Sequence, residues 1–270
     1  MILQTLDNLP DALGDDGLRD RLAGRRPAVF LDYDGVLTPI VARPADAVIS
    51  AGMRDTVRAL SLRCPVCVVS GRDRLVVQEL MGIDDLVVAG SHGFDIWSPT
   101  AGSMAYDLGS AFEDLVAETS ERLRHELTTI PGVVVEQKRA SVAVHYRLVA
   151  PSQRPRVAGM VQALLAGRRE DLKLTPGKMV YELQPKVDWD KGRAVLYLLA
   201  ALDLDTPDVA AVYLGDDITD EDAFRALRGR GISIIVGRPD DPEMAGRDTA
   251  ADLALATPTE VQQFLTTLAR

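Results

Sequence analysis

Short apolar runs alternate with amphipathic stretches along most of this chain. Residues 28–31 form an apolar run that stops at Asp32 and Asp34, one residue apart, and then at Gly35. A run of that length ending in a turn residue predicts a buried strand. An extended segment, 39–49, leads into a helical pattern on Met53, Val57 and Leu60. Residues 65–69 predict a second buried strand, closed by Ser70, Gly71, Arg72 and Asp73 and followed by a helix to Met81. Residues 86–89 predict a third, ending in Gly90, Ser91, His92 and Gly93. Strand and helix in turn, with uninterrupted apolar strands, indicate a parallel sheet with right-handed crossovers. Ahead of it, residues 7–24 carry Leu9, Leu13, Leu18 and Leu22 at helical spacing and predict a polar lead-in packed on the outside.

The pattern changes at residue 94. Residues 94–107 predict a hairpin around Ser98, Pro99, Thr100, Ala101 and Gly102, and residues 110–129 a long amphipathic helix. Strands follow at 133–137 and 141–147; the second alternates Val142, Val144 and Tyr146 against Ala143, His145 and Arg147, as a half-exposed antiparallel strand does. A helix at 152–167 and strands at 171–174 and 179–183 complete a βαββ-like group, with Gln184, Pro185 and Lys186 as the return linker. From Asp190 the first pattern resumes: a helix to Leu202, a buried strand at 209–214 ending in Gly215, Asp216 and Asp217, a helix at 219–227, strands at 232–236 and 251–255, and a terminal helix from Thr259. The expected architecture is α/β: a Rossmann-like parallel-sheet core, residues 1–108 and 188–270, holding a smaller inserted α/β unit, residues 109–187.

Composition narrows the function classes. The chain has 270 residues, 47% hydrophobic and 26% charged, with a net charge of -10 and no basic run, which argues against a nucleic-acid partner. Its apolar runs are strand-length, too short to cross a bilayer, and the amino terminus lacks the basic start and apolar stretch of a secretory signal. A cytoplasmic protein, monomeric and without membrane partner, is expected. Cys64 and Cys67 have the C-x-x-C spacing of redox motifs, but Cys67 lies inside an apolar run and reads as a small buried hydrophobe.

Four strands end in residues of catalytic type: Asp32 with Asp34, Ser70, His92, and Asp216 with Asp217. In open α/β sheets that edge binds ligands, and the helices starting beyond it favour an anion. Two acids this close repel unless a cation or a shared proton offsets them, so the first pair is either a metal site or an acid pair in catalysis, or else simply closes a turn. An oxygen-only donor set suits Mg²⁺, whereas three scattered histidines and one cysteine cluster do not suit zinc. Thr219 with Asp222 fits a capping box, and Asp220 to Asp222 are explained as acids in a first helical turn. Ser70 is otherwise a helix cap and Lys191 a solvated charge.

In order, Asp32-Tyr33-Asp34-Gly35, the strand ending in Ser70, Lys191 opening a helix, and Gly215-Asp216-Asp217 resemble the four motifs of haloacid dehalogenase-like phosphatases. The stretches LDYDGVLTPI, VVSGR, AGSHG, SVAVHYR, GKMVYELQP, DKG and YLGDDITDEDAF resemble the trehalose-6-phosphate phosphatase family within them, over residues 28–240; Val36 departs, standing where that family usually has threonine. The resemblance implies hydrolysis of trehalose 6-phosphate to trehalose and phosphate. It implies Asp32 as nucleophile and Asp34 as acid and base, with Ser70 and Lys191 on the phosphate oxygens. Mg²⁺ would be held by Asp32, the Asp34 main-chain carbonyl and Asp216, with Asp217 behind. The insertion would be a cap joined by hinges near 107–110 and 184–190, in which Glu136, Lys138 and Glu182 bind sugar hydroxyls and Arg147 and Lys178 the phosphate, while Tyr33, His92 and Gly93 line the core side. Charges on an exposed strand face would look the same. The rivals are the same chemistry on another glycosyl or pseudo-disaccharide phosphate, transfer to a sugar instead of water, and a phosphosugar-binding module without turnover.

Overall fold

A computed structural model of the chain describes residues 4–14, 17–100, 102–104, 112–177, 179–242 and 244–269. In chain order, β1 (Gln4–Thr5) and α1 (Gly17–Leu22) precede β2 (Arg26–Leu31), the apolar run that ends at Asp32. Then come α2 (Ala51–Ser61), β3 (Val66–Val69), α3 (Arg74–Met81), β4 (Val87–Gly90), β5 (Asp95–Ser98) and β6 (Gly102–Met104). The inserted stretch holds α4 (Glu113–Leu127), β7 (Val134–Gln137), β8 (Val142–His145), α5 (Arg154–Ala166), β9 (Leu172–Gly177) and β10 (Val180–Pro185). The remainder is α6 (Lys191–Ala201), β11 (Val209–Gly215), α7 (Asp220–Leu227), β12 (Gly231–Val236), β13 (Asp248–Thr249), β14 (Leu253–Leu255) and α8 (Pro258–Leu268). The chain divides into two compact units, Met1–Met104 with Trp189–Arg270, and Ala105–Asp188.

The first unit is built on an eight-stranded sheet of order β14-β12-β11-β2-β3-β4-β5-β6. Strands β14 to β4 run parallel, and β5 and β6 add antiparallel at one edge. Because β2 and β11 are central, with layers on both faces, β11 and residues 28–31 of β2 carry apolar residues in succession rather than in alternation. Val29, Leu31, Val68, Val212 and Leu214 pack with Met53, Val57 and Leu60 of α2 and with Val261, Phe264 and Leu265 of α8. Each of these helices starts on a side-chain cap: Ser50 Oγ accepts from Met53 N, and Thr257 Oγ1 from Glu260 N.

Of the helix expected over residues 7–24, α1 forms at Gly17–Leu22 and the earlier part does not. Pro10 and Gly14 interrupt it. A 3-10 turn, Leu6–Asn8, is followed by main chain that joins the open edge of the sheet: Ala254 N donates to Pro10 O and Ala12 N to Ala254 O, both at 2.9 Å. This covers one exposed sheet edge that would otherwise present unpaired groups.

The second unit has an antiparallel sheet of order β7-β8-β10-β9. Val142, Val144, Leu172 and Leu183 pack with Val116, Leu123 and Leu127 of α4 and Val157, Val161 and Leu164 of α5. Residues directly opposite in an antiparallel pair share a face, and Glu136, Ala143, Glu182 and Thr175 are aligned in one row across the four strands. The sheet thus has an apolar side under its helices and a side bearing the acids. Strand β8 stops at His145, short of the expected Arg147, which lies in the following turn. No helix among the described residues is long and apolar enough to cross a membrane.

Candidate active site

The parallel strands β2, β3 and β11 bring Asp32, Ser70 and Asp216 to one edge. Asp32 N donates to Leu214 O at 2.9 Å, and Ser70 N to Ala89 O at 2.9 Å, so each residue is fixed by the ladder it terminates. All three side chains are buried. Lys191 opens α6, whose start is set by Asp190 accepting from Arg193 N, and its ammonium lies 2.7 Å from Asp32 Oδ2 and 2.7 Å from Asp220 Oδ1. Carboxylate oxygens of Asp32, Asp216 and Asp220 lie within 4.8 Å of one another. Burial by itself would push the Lys191 ammonium down, but Asp220 and Asp32 outweigh it and hold it above its ordinary range. Burial raises the Asp32 carboxyl well above a usual carboxylate, with Lys191 opposing and Asp220 and Asp216 adding to the rise. Three buried carboxylates against one ammonium leave the group short of positive charge, the electrostatic setting in which a cation is stabilised.

Two glycines make the cluster possible. A Cβ on Gly35, which has φ +73°, would sit 2.0 Å from Asp216 Oδ2, and one on Gly215 would sit 2.3 Å from Asp220 Cγ. Only a residue without a side chain lets each carboxylate come so close to the main chain.

Asp220 is the residue that sequence reasoning missed. It is fully buried and accepts four hydrogen bonds: Oδ1 from Lys191 and from the Tyr213 hydroxyl at 2.7 Å, Oδ2 from Asp216 N at 3.0 Å and Asp217 N at 2.9 Å. Its carboxyl is lowered: burial acts to raise it, and Lys191, Tyr213 and the backbone donors outweigh that. The capping box expected from Thr219 and Asp222 is not formed; Thr219 already has helical φ and ψ and makes no side-chain cap. The signal was spacing, since Asp220 stands one helical turn after Asp216 and its side chain leans back toward the strand end.

Asp34 is not a member of this carboxylate group. Arg72 forks onto it, Nε 2.6 Å from Oδ2 and Nη2 2.7 Å from Oδ1. Ser70 is not the cap of α3, whose cap position is Asp73; its Oγ accepts instead from Arg72 N at 3.2 Å. Tyr33 does not line the site as expected. It is fully buried under the Arg72 guanidinium, donates its hydroxyl to Ala47 O at 2.6 Å, and has its pKa pushed up to about 12 mainly by burial. His92 and Gly93 are buried just beyond β4, with His92 N bonded to Ser70 O at 2.8 Å. Asp217 bonds through Oδ1 to Ile218 N at the start of its own turn.

In the second unit, Glu182 and Lys138 are buried, which is not the solvated charge of an exposed strand face. Glu182 Oε1 accepts from Ser141 Oγ at 2.6 Å and from Lys138 Nζ at 3.2 Å. Glu136 Oε2 meets His145 Nε2 at 2.7 Å, and its carboxyl is lowered because His145 and Lys138 outweigh the effect of burial. Ser141 and His145 thus join the acids on this face without having been singled out in the sequence. Arg147 is half-buried in its turn, and Lys178 lies outside the described residues.

A haloacid dehalogenase-like hydrolase from Bacteroides thetaiotaomicron shares the fold at a TM-score of 0.61, over 90% of this chain and 99% of that one, with 16% identity. Residues 30–258 match the trehalose-phosphatase family. The trehalose-phosphate phosphatase of Mycobacterium bovis is 42% identical over 98% of this chain and 67% of its own length. The C-terminal domain of Candida albicans trehalose-6-phosphate phosphatase superposes with a TM-score of 0.78, covering 97% of this chain and 98% of its own, at 25% identity. The chain belongs to the trehalose-phosphatase family, and its class of activity is that of a phosphoric monoester hydrolase.

Proposed function

We propose that the chain hydrolyses trehalose 6-phosphate to trehalose and phosphate in trehalose biosynthesis, with Mg²⁺ and through a phosphoaspartate on Asp32. The observation that carries this reading is the Asp32 carboxylate, held at the end of β2 by Lys191 at 2.7 Å beside Asp216, in a chain of a phosphatase family. Asp32 attacks phosphorus as the ester bond to the sugar oxygen breaks, and Asp34 gives that oxygen its proton. Water then attacks the phosphoaspartate, Asp34 takes back a proton, and the bond to Asp32 breaks to free phosphate. Lys191 and the Ser70 hydroxyl orient phosphate oxygens. The donor set is all oxygen, and the Gly35 turn lets Asp216 approach closely, which suits Mg²⁺ on Asp32, Asp216 and the Asp34 carbonyl. When bound, the ion would neutralise charge on the phosphoryl group. Asp220, its oxygens already occupied by four donors, positions Lys191 instead.

The same reading assigns the sugar to the second unit, with Glu136, Lys138 and Glu182 on its hydroxyls and Arg147 and Lys178 on the phosphate; Arg suits that by its planar donors. A reducing, cytoplasmic setting agrees with two free, buried cysteines. Phosphate release from a panel of sugar phosphates, with Mg²⁺ and with EDTA, tests the whole. Trehalose 6-phosphate should lead the panel and chelation should abolish release; a flat response refutes the substrate, and activity surviving EDTA refutes the metal.

A further inference from the structure

Arg72 has no role in the reaction as set out above, yet it touches two residues that do. Besides the fork onto Asp34, its Nη1 donates to Pro44 O at 2.7 Å, and its Cζ lies 5.7 Å from the Tyr33 ring centroid. Its main-chain N–H donates to Ser70 Oγ at 3.2 Å, and its carbonyl accepts from Ser91 N at 2.7 Å. One residue therefore ties the turn after β2, the 39–49 segment, the turn after β3 and the turn after β4. The Arg72 side chain is 13% exposed, against 32% for Asp34, so the arginine is the fixed member and the carboxylate the one being held. An exposed pair of this kind contributes little, but a two-pronged contact from a shielded guanidinium fixes direction as well as distance. An ammonium in its place could reach Asp34 at one point only, and could not also hold Pro44.

We propose that Arg72 is a positioning residue for the phosphatase reaction, its guanidinium setting the Asp34 carboxyl group for proton transfer to the leaving oxygen. This rests on the role given above to Asp34. Misdirecting a proton donor matters in proportion to how much the leaving group needs the proton. A sugar oxygen needs it; a nitrophenolate leaves without it.

The test compares the Mg²⁺-loaded full chain with its R72A, R72K, R72Q, D34N and R72A/D34N variants on trehalose 6-phosphate and on p-nitrophenyl phosphate. R72A should lower kcat on the sugar phosphate about 10- to 100-fold, as expected for losing hydrogen bonds to a charged group, while the pre-steady-state burst of nitrophenolate from the aryl ester, which needs no proton from Asp34, slows far less. R72K and R72Q should do little better, and added guanidinium should restore part of the loss in R72A. In the D34N background R72A should change kcat on the sugar phosphate no further, because both act through one group. A nitrophenolate burst slowed as much as kcat on the sugar phosphate, without guanidinium rescue, would make Arg72 a purely structural residue and overturn the proposal, as would additive losses in the double variant. If D34N keeps wild-type rates on both substrates, the acid and base assignment of Asp34 fails first, and the proposal with it. Should R72A not fold, R72K and R72Q carry the substrate comparison alone, with the same two readings.

Discussion

Replacing Asp220 by asparagine tests whether this buried carboxylate organises the site. The side chain is fully buried and accepts four hydrogen bonds. An amide of the same shape must turn its NH₂ either toward the two backbone donors of Asp216 and Asp217 or toward Lys191, so at least one buried donor loses its acceptor, at about 1–3 kcal/mol. Lys191 also loses one of its two counter-charges in a site where removing a partner from a buried pair costs about 3–5 kcal/mol; because Asp32 remains, the two effects overlap and a total of about 3–5 kcal/mol is expected. For a unit of this size that is about 6–20 °C in Tm. The chain has two tryptophans, Trp97 and Trp189, and both belong to the first unit, so a fluorescence melt reads that unit without the other. D220N should melt early and lose turnover, while its Mg²⁺ half-saturation rises less than that of D216N. A change under about 1 kcal/mol, together with a Mg²⁺ requirement raised as much as in D216N, would show that Asp220 is an ion ligand and that the four-donor argument is wrong.

Asp32→Asn should abolish phosphate release while the fold survives, because the amide keeps the shape without the nucleophile and Lys191 retains Asp220; release above background in a steady-state assay refutes Asp32 as the attacking group. Glu182→Gln leaves an acceptor for Ser141 and Lys138 but removes the charge. It should lower kcat/KM for trehalose 6-phosphate by about 10- to 100-fold and spare an aryl phosphate, whereas equal losses would place Glu182 in the fold alone. Burial pushes the thiols up from 9.0, to about 11 for Cys64 and about 12 for Cys67, so iodoacetamide at pH 8 should label neither until the chain unfolds. The folded pKa values being the higher, the stability from burying neutral thiols is present below the unfolded value and declines as pH rises toward 11 and 12; rapid labelling of the native chain at pH 8 contradicts this.

The parallel core was legible because its strands hold unbroken apolar runs, and several stop at chemically distinctive residues. Asp32, Ser70 and Asp216 could be placed at one edge from chain order alone. Asp220 was not legible in that way, because acids in a first helical turn have an adequate local explanation and nothing in the residue types separates a solvated one from a buried one. Tyr33 stands between two acids in the sequence, and nothing there showed that its hydroxyl turns to the Ala47 carbonyl. Arg72 followed Ser70 and Gly71 in a turn, and a long side chain can reach in several directions from there; only the coordinates show it gripping Asp34. The lead-in carried leucines at helical spacing, and the cost of Pro10 and Gly14 within a helix outweighed them.

The pairing of β2 with β11 sets when this catalytic centre can exist during synthesis. Leu31 is aligned with Leu214, and about two thirds of the chain lies between them. As the polypeptide emerges from the ribosome, β2 can find β3 early, but its other flank stays bare while the entire second unit is made. That unit has its own apolar core and closes from local pairings, so it can collapse first and shorten the span left to close. Asp32 meets Lys191 and Asp220 only after both have been translated, which keeps the acids hydrated until their counter-charge arrives. A nascent chain halted before Val209 should accordingly hold a protease-resistant second unit beside an unfinished, aggregation-prone half-sheet.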